Sequence, residues 1–107
     1  AGPFMTAPAV ELSGNTLAVT GEVNADTVIA LRKQGEQLIG AASVPLTVDL
    51  SGLATAHSVV LSMLLCWHRL ALGKQQPLTF QGASDRLLSL AALSNLEDQI
   101  PGFATHS

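Results

Sequence analysis

The alternation of apolar and polar positions divides the chain into short, well-punctuated segments. Val10-Glu11-Leu12-Ser13 and Thr16-Leu17-Ala18-Val19-Thr20 flank Gly14-Asn15. Successive strand side chains point to opposite faces, so this pattern predicts two strands joined by a tight hairpin. From Asp26 to Ile39 the period lengthens: Val28, Leu31 and Leu38 recur at helical spacing, with Asn24 as a candidate N-cap and Gly40 as a stop. Pro45 opens a second apolar run, Leu46 to Leu50, which reads as a central strand. A helix opened by Ser58 then runs to about Leu72 and ends at Gly73. Pro77 to Gln81 reads as a further strand, and Asp85 to Leu93 as a helix capped by Ser84. Beyond Asn95 a tail follows, in which Leu96, Ile100 and Phe103 are placed to pack back, and Pro101-Gly102 excludes a long last helix. The order β-β-α-β-α-β-α predicts an α/β domain, a small mixed sheet with parallel crossovers and helices packed against it.

The helix from Ser58 is unusually apolar. On a wheel of about 100° per residue, Val60, Leu64, Trp67 and Ala71 share the face expected to meet the sheet. Leu61, His68 and Leu72 flank one side, and Val59, Met63 and Leu70 the other. Only Ser58, Ser62, Leu65 and Arg69 remain as an outer stripe, with Cys66 beside it. A surface helix normally shows a broad polar face. Either this helix is simply the most buried, or its outer stripe is covered by a partner.

Composition bears on that choice. Apolar residues make up 48% of the 107 residues, but charged residues only 12%, about half the usual share. A single small domain has much surface for so few charges, which favours a covered face. A net charge of −3 and a pI near 5.4 leave no basic footprint for nucleic acid. The lone Cys66 excludes an internal disulfide and agrees with a reducing compartment. No run reaches the roughly 18 apolar residues of a membrane span. The first residues lack a basic region followed by an apolar stretch, so no secretory signal is visible. Ala1-Gly2-Pro3-Phe4, ahead of Met5, reads as a cloning scar and is set apart from a single domain over residues 5–107.

Catalytic chemistry finds little support. Ser58, His57 and Asp49 could be imagined as a hydrolase triad, but there is no Gly-x-Ser-x-Gly elbow, and side chains adjacent in sequence tend to diverge. Asp49, inside or at the end of a strand, is better placed to accept nearby backbone N–H groups. His57, His68, His106 and Cys66 match no zinc spacing, and the glycines form no phosphate-binding loop. Trp67 reads as core. No cofactor or metal is expected, and the chain is not read as an enzyme.

At this point the motifs resemble those of the STAS family, shared by anti-sigma-factor antagonists and by the tails of sulfate transporters. Gly21-Glu22-Val23-Asn24 is similar to its early Gly-Glu-Leu-Asp stretch, and Asp49-Leu50-Ser51 to its central signature. His57-Ser58-Val59-Val60-Leu61 falls where the family has Asp-Ser/Thr-x-Gly-Leu; Leu78 to Gly82 and Arg86-Leu87-Leu88 fit its later strand and helix. The likeness spans about residues 9 to 100. Within the family it is strongest to the small cytoplasmic STAS subunits of Mla-type phospholipid ABC transporters, which maintain outer-membrane lipid asymmetry. That resemblance implies a non-enzymatic subunit in the cytoplasm, peripheral to the inner membrane. It would bind the ATPase subunit directly and the permease indirectly, through His57, Ser58, Ser62, Leu65 and Arg69. A weak homodimer is a second way to cover the same apolar surface. The other function the family implies is an anti-sigma-factor antagonist switched by phosphorylation of Ser58. Against it, His57 replaces the acid before the hydroxyl, and Val59-Val60 replace small residues, narrowing the expected approach to Ser58. Ser58 is therefore expected to be unmodified, and to cap the helix as well as touch the partner.

Overall fold

The computed structural model describes residues 8–54, 57–95 and 99–100. The elements are β1 (Ala9–Ser13), β2 (Thr16–Gly21), α1 (Val28–Ala41), β3 (Thr47–Leu53), α2 (Ser58–Gly73), β4 (Thr79–Gln81) and α3 (Asp85–Leu93), the expected order. The four strands lie in the order β1-β2-β3-β4; β1 and β2 are antiparallel, and β2-β3 and β3-β4 parallel. The hairpin turns on Gly14 at φ +62, the left-handed conformation that a Gly in the first central position supplies without strain.

Among the described residues, only one face of the sheet is covered. Leu17 and Val19 of β2, Val48 and Leu50 of β3 and Phe80 of β4 enter the core. The alternate residues Thr16, Ala18, Thr20, Thr47 and Asp49 stay half-buried, and Thr79 and Gln81 are exposed. This is the period-two pattern of a two-layer domain with its helices on one side.

The boundaries moved for local reasons. Helix α1 starts at Val28 rather than Asp26, because Asn24 builds a turn ahead of it: its Oδ1 accepts the N–H groups of Asp26 (2.8 Å) and Thr27 (3.1 Å), and its carbonyl that of Val28 (2.9 Å). Strand β3 extends past Leu50 because Gly52 and Leu53 still pair with Thr20 and Gly21. Ser84 caps α3 as expected, its Oγ accepting the Leu87 N–H at 3.1 Å. Ile100 packs back at 1% exposure; the expectations for residues 1–4, Leu96, Phe103 and His106 lie outside the described residues.

Candidate partner-binding surface

Helices α1 and α2 form one platform. Val60, Leu64, Trp67 and Ala71 are all fully buried, as the wheel requires. Trp67, however, turns toward α1 as well as the core. Its indole N–H donates to the Arg32 carbonyl at 3.0 Å, and its ring lies over Gly35, where a Cβ would overlap ring atoms. A glycine inside a helix weakens it; here it lets the indole fill the layer between the two helices. At the far end the Lys74 ammonium donates to the carbonyls of Ile39 (2.8 Å), Gly40 (2.7 Å) and Ala42 (2.9 Å). Those carbonyls belong to the last turn of α1 and its C-cap Ala42, where helix carbonyls run short of partners within the helix. The two helices are thus joined at their middles and at their C-terminal ends.

The N-terminus of α2 is less constrained. His57, with φ −115 and ψ 154, occupies the N-cap position but makes no side-chain cap hydrogen bond. Ser58 is the first helical residue, so it does not cap as expected: a hydroxyl one position inside the helix start no longer reaches forward to the following N–H groups. Both His57 and Ser58 are exposed. Val60 points into the core and Val59 is half-buried, so the two valines do not cover Ser58 as expected.

Along the outer stripe Ser62 and Arg69 are exposed, while Leu65 and Cys66 are half-buried. The Ser62 hydroxyl donates back to the Ser58 carbonyl at 3.5 Å, a long contact. Leu65 packs against the core and is less of an exposed anchor than its wheel position suggested. Helix α1 adds what the sequence reading missed. Val28, Ile29 and Arg32 face Val59, Ser62, Met63 and Cys66 across a shallow groove of about 130 Å³. Ile29 is 57% exposed at its rim. The signal was present, since Ile29 and Arg32 are three residues apart on a helix and share a face. What the chain alone could not show was which face would border α2.

The remaining candidates do not form a reaction centre. Asp49 Oδ1 accepts from the N–H (3.1 Å) and the hydroxyl (2.8 Å) of Ser51, and these bonds hold its carboxyl below the usual aspartate range. The Asp-Leu-Ser stretch therefore bonds to itself within β3, opposite the register shift between Ala18 and Thr20. Gly82, at φ +77, passes so near that a Cβ there would lie 2.9 Å from Asp49 Oδ1. His68 is half-buried, with no hydrogen-bond partner for Nδ1; burial first, and Arg69 second, push its pKa down. Among the described residues no group of three or more His, Cys, Asp or Glu side chains could hold a metal ion, and no helix is long and apolar enough to cross a membrane.

A one-sided, four-stranded mixed sheet with this element order is the architecture of anti-sigma-factor antagonists and their relatives. The crystal structure of an anti-sigma factor antagonist from Mycobacterium paratuberculosis superimposes with a TM-score of 0.72 at 23% identity, over 89% of this chain and 82% of that one. A chain of the Acinetobacter MlaFEDB complex in an ATP-bound conformation gives 0.72 at 24% identity, over 86% and 96%. At those identities the likeness is one of fold. A family model described as "Mlab, STAS domain" matches residues 8–102, and the chain belongs to the STAS family. Among curated proteins it is 33% identical over 86 residues to the intermembrane phospholipid transport system binding protein MlaB of Escherichia coli, covering 78% of this chain and 84% of the relative.

Proposed function

We propose that this chain is a non-enzymatic STAS subunit that binds and supports the ATPase of a phospholipid-transporting ABC system maintaining outer-membrane lipid asymmetry. The observation that carries the reading is the 33% identity to a phospholipid transport protein across 84% of that protein's length. The α2 stripe supports it: Ser58, Ser62 and Arg69 stand exposed on a largely buried helix, with His57 exposed at its N-cap and Leu65 half-buried beside them. In this reading these residues contact the ATPase. The permease is reached only through it, and the subunit sits on the cytoplasmic side of the inner membrane. A mixture of small hydroxyls, one apolar side chain and an arginine suits a close, partly desolvated contact.

The test is capture of the transporter. Tagged chain, expressed in its own host, should co-purify with the ATPase and permease subunits. Ser62→Arg combined with Arg69→Glu should abolish that capture while the melting temperature stays close to the parent's, since both positions are exposed. Undiminished capture by the folded double variant rejects this surface.

A second reading keeps one observation in its favour: Ser58 is exposed at the start of α2, accessible to a kinase. An anti-sigma-factor antagonist would show a population heavier by one phosphate at Ser58 and would capture a kinase instead of an ATPase. We expect unmodified Ser58 in the intact mass of protein from its own host.

A further inference from the structure

The groove between α1 and α2 carries two features that its own helices leave unmet. Its floor and walls are largely apolar, from Val28, Val59 and Met63, with Ile29 standing 57% exposed at the rim. Arg32 lines the same groove, and its Nε is buried without a hydrogen-bond acceptor among the described residues. Glu36, one turn on, forms an ion pair with Arg32, but its Oε2 lies 3.7 Å from Nε, beyond hydrogen-bond reach. A buried donor left without an acceptor is costly, and such groups are uncommon in folded proteins. An occupant that brings an acceptor removes that cost.

Charge and size narrow the occupant. The chain as a whole carries −3, yet α2 contains no acidic residue, and none of the groove-lining residues is acidic. Arg69 continues the same stripe one turn beyond Cys66 and Leu65. Glu36 beside Arg32 offsets part of the guanidinium charge, but the lining itself carries Arg32 and no acid, so it accepts a carboxylate more readily than a lysine. A space of about 150 Å³ can take a benzene-sized group, so a groove of about 130 Å³ has room for one apolar side chain. A second copy of this chain would set Arg32 and Arg69 against their own kind, which makes self-docking the poorer fit.

We propose that the α1–α2 groove is a socket for one apolar side chain of the ATPase subunit, flanked on that subunit by a carboxylate that pairs with Arg32. This rests on the ATPase-binding reading above and names the chemistry of its contact. The Trp67 hydrogen bond to the Arg32 carbonyl and the Lys74 clasp hold the two walls of the socket in place before binding. A preformed socket spares the ordering cost that a flexible one would incur on association.

The chain's only cysteine provides the probe, because Cys66 lines the socket. The free protein and its purified complex with the ATPase subunit are treated with N-ethylmaleimide, and labelling is followed by intact mass. The expected result is labelling of the free chain and protection in the complex. In titrations against the ATPase, Ile29→Asp and Arg32→Glu should each weaken binding about 10- to 100-fold without lowering the melting temperature appreciably. Arg32→Glu should be rescued in part by reversing the ATPase carboxylate. Should Cys66 be slow to react even in the free chain, the two titrations decide alone. If the parent binds the ATPase while Cys66 labels equally fast in the complex, or both variants bind normally, the socket is wrong and the ATPase reading stands. If the parent shows no binding to the ATPase, both fall. A concentration-dependent dimer that Ile29→Asp dissolves, with ATPase binding unchanged, assigns the groove to a second copy and overturns the proposal.

Discussion

Helix α3 begins with Ser84, whose Oγ accepts the Leu87 N–H, and carries Asp85 in its first turn, where the helix dipole favours an acid. It buries Leu87 and Ala91 and turns Asp85, Arg86, Ser89 and Leu93 to solvent. Helix α2 has no side-chain cap and no acid in its first turn, and it buries Val60, Leu61, Met63, Leu64, Trp67 and Ala71. One helix is held by local signals that any isolated helix could use. The other is held by long-range packing, which leaves its N-terminal turn free for contact. The difference separates two kinds of position on one domain: those at which a change alters local stability, and those at which it alters the platform or what docks on it.

The strongest challenge to that contrast is Trp67→Ala. The indole is fully buried, and its loss removes both the filler between α1 and α2 and the hydrogen bond to the Arg32 carbonyl. We expect destabilisation of about 3–5 kcal/mol, enough to unfold much of a domain this small. Chemical denaturation checks it. A loss below about 1 kcal/mol would mean that packing does not hold α2 and that the comparison with α3 fails.

The contrast also explains what could be read from the chain in advance. Strand and helix periods were legible because burial on one face imposes them directly: Leu17, Val19, Val48 and Leu50 alternate, and Val60, Leu64, Trp67 and Ala71 recur. The Ser84 cap was legible because its partner, Leu87, lies three residues away. The Ser58 cap was misplaced by one residue, because a helix start depends on the φ/ψ of a single position, here His57. Gly35, Lys74 and the Ile29–Arg32 wall were not legible as parts of a site. Their roles arise only when segments about 35 residues apart meet, as the Trp67 and Lys74 hydrogen bonds show. The family motifs led to the α2 stripe but not to the α1 half of the groove.

Lys74→Met sharpens the comparison at the other end of α2. It keeps a long apolar stem but removes the donor to three carbonyls at the C-terminal end of α1 and its cap. We expect a cost of about 1–2 kcal/mol, as for charged hydrogen bonds at a partly exposed site. Amide hydrogen exchange should speed up at Ile39 to Ala42 before it does elsewhere in α1. Uniform acceleration would mean that the clasp is not a local lock.

Paired alanine substitutions at the two helix starts test the contrast most directly. Ser84→Ala removes an observed cap bond and should cost about 1 kcal/mol. Ser58→Ala removes no cap bond and should stay within about 0.5 kcal/mol, though it lies on the proposed contact. Equal losses in thermal unfolding would show that Ser58 caps α2 in solution and that the two starts are alike.

The smallest expected effect comes from His68, a titratable group on α2; α3 has no histidine. Burial, and then the neighbouring Arg69 charge, disfavour its protonated form, so its pKa in the fold lies below the ordinary histidine value. The unfolded chain therefore takes up the proton first as pH falls. Stability is full above the ordinary histidine value, declines as pH drops toward the lowered folded value, and levels off below it. Melting temperatures measured from about pH 7.5 to about pH 5, across the usual histidine range, should fall more steeply for the parent than for His68→Gln. If His68→Gln matches the parent across the window, His68 is solvated in solution, and α2 is less deeply packed along that flank than Leu61 and Leu64 beside it imply.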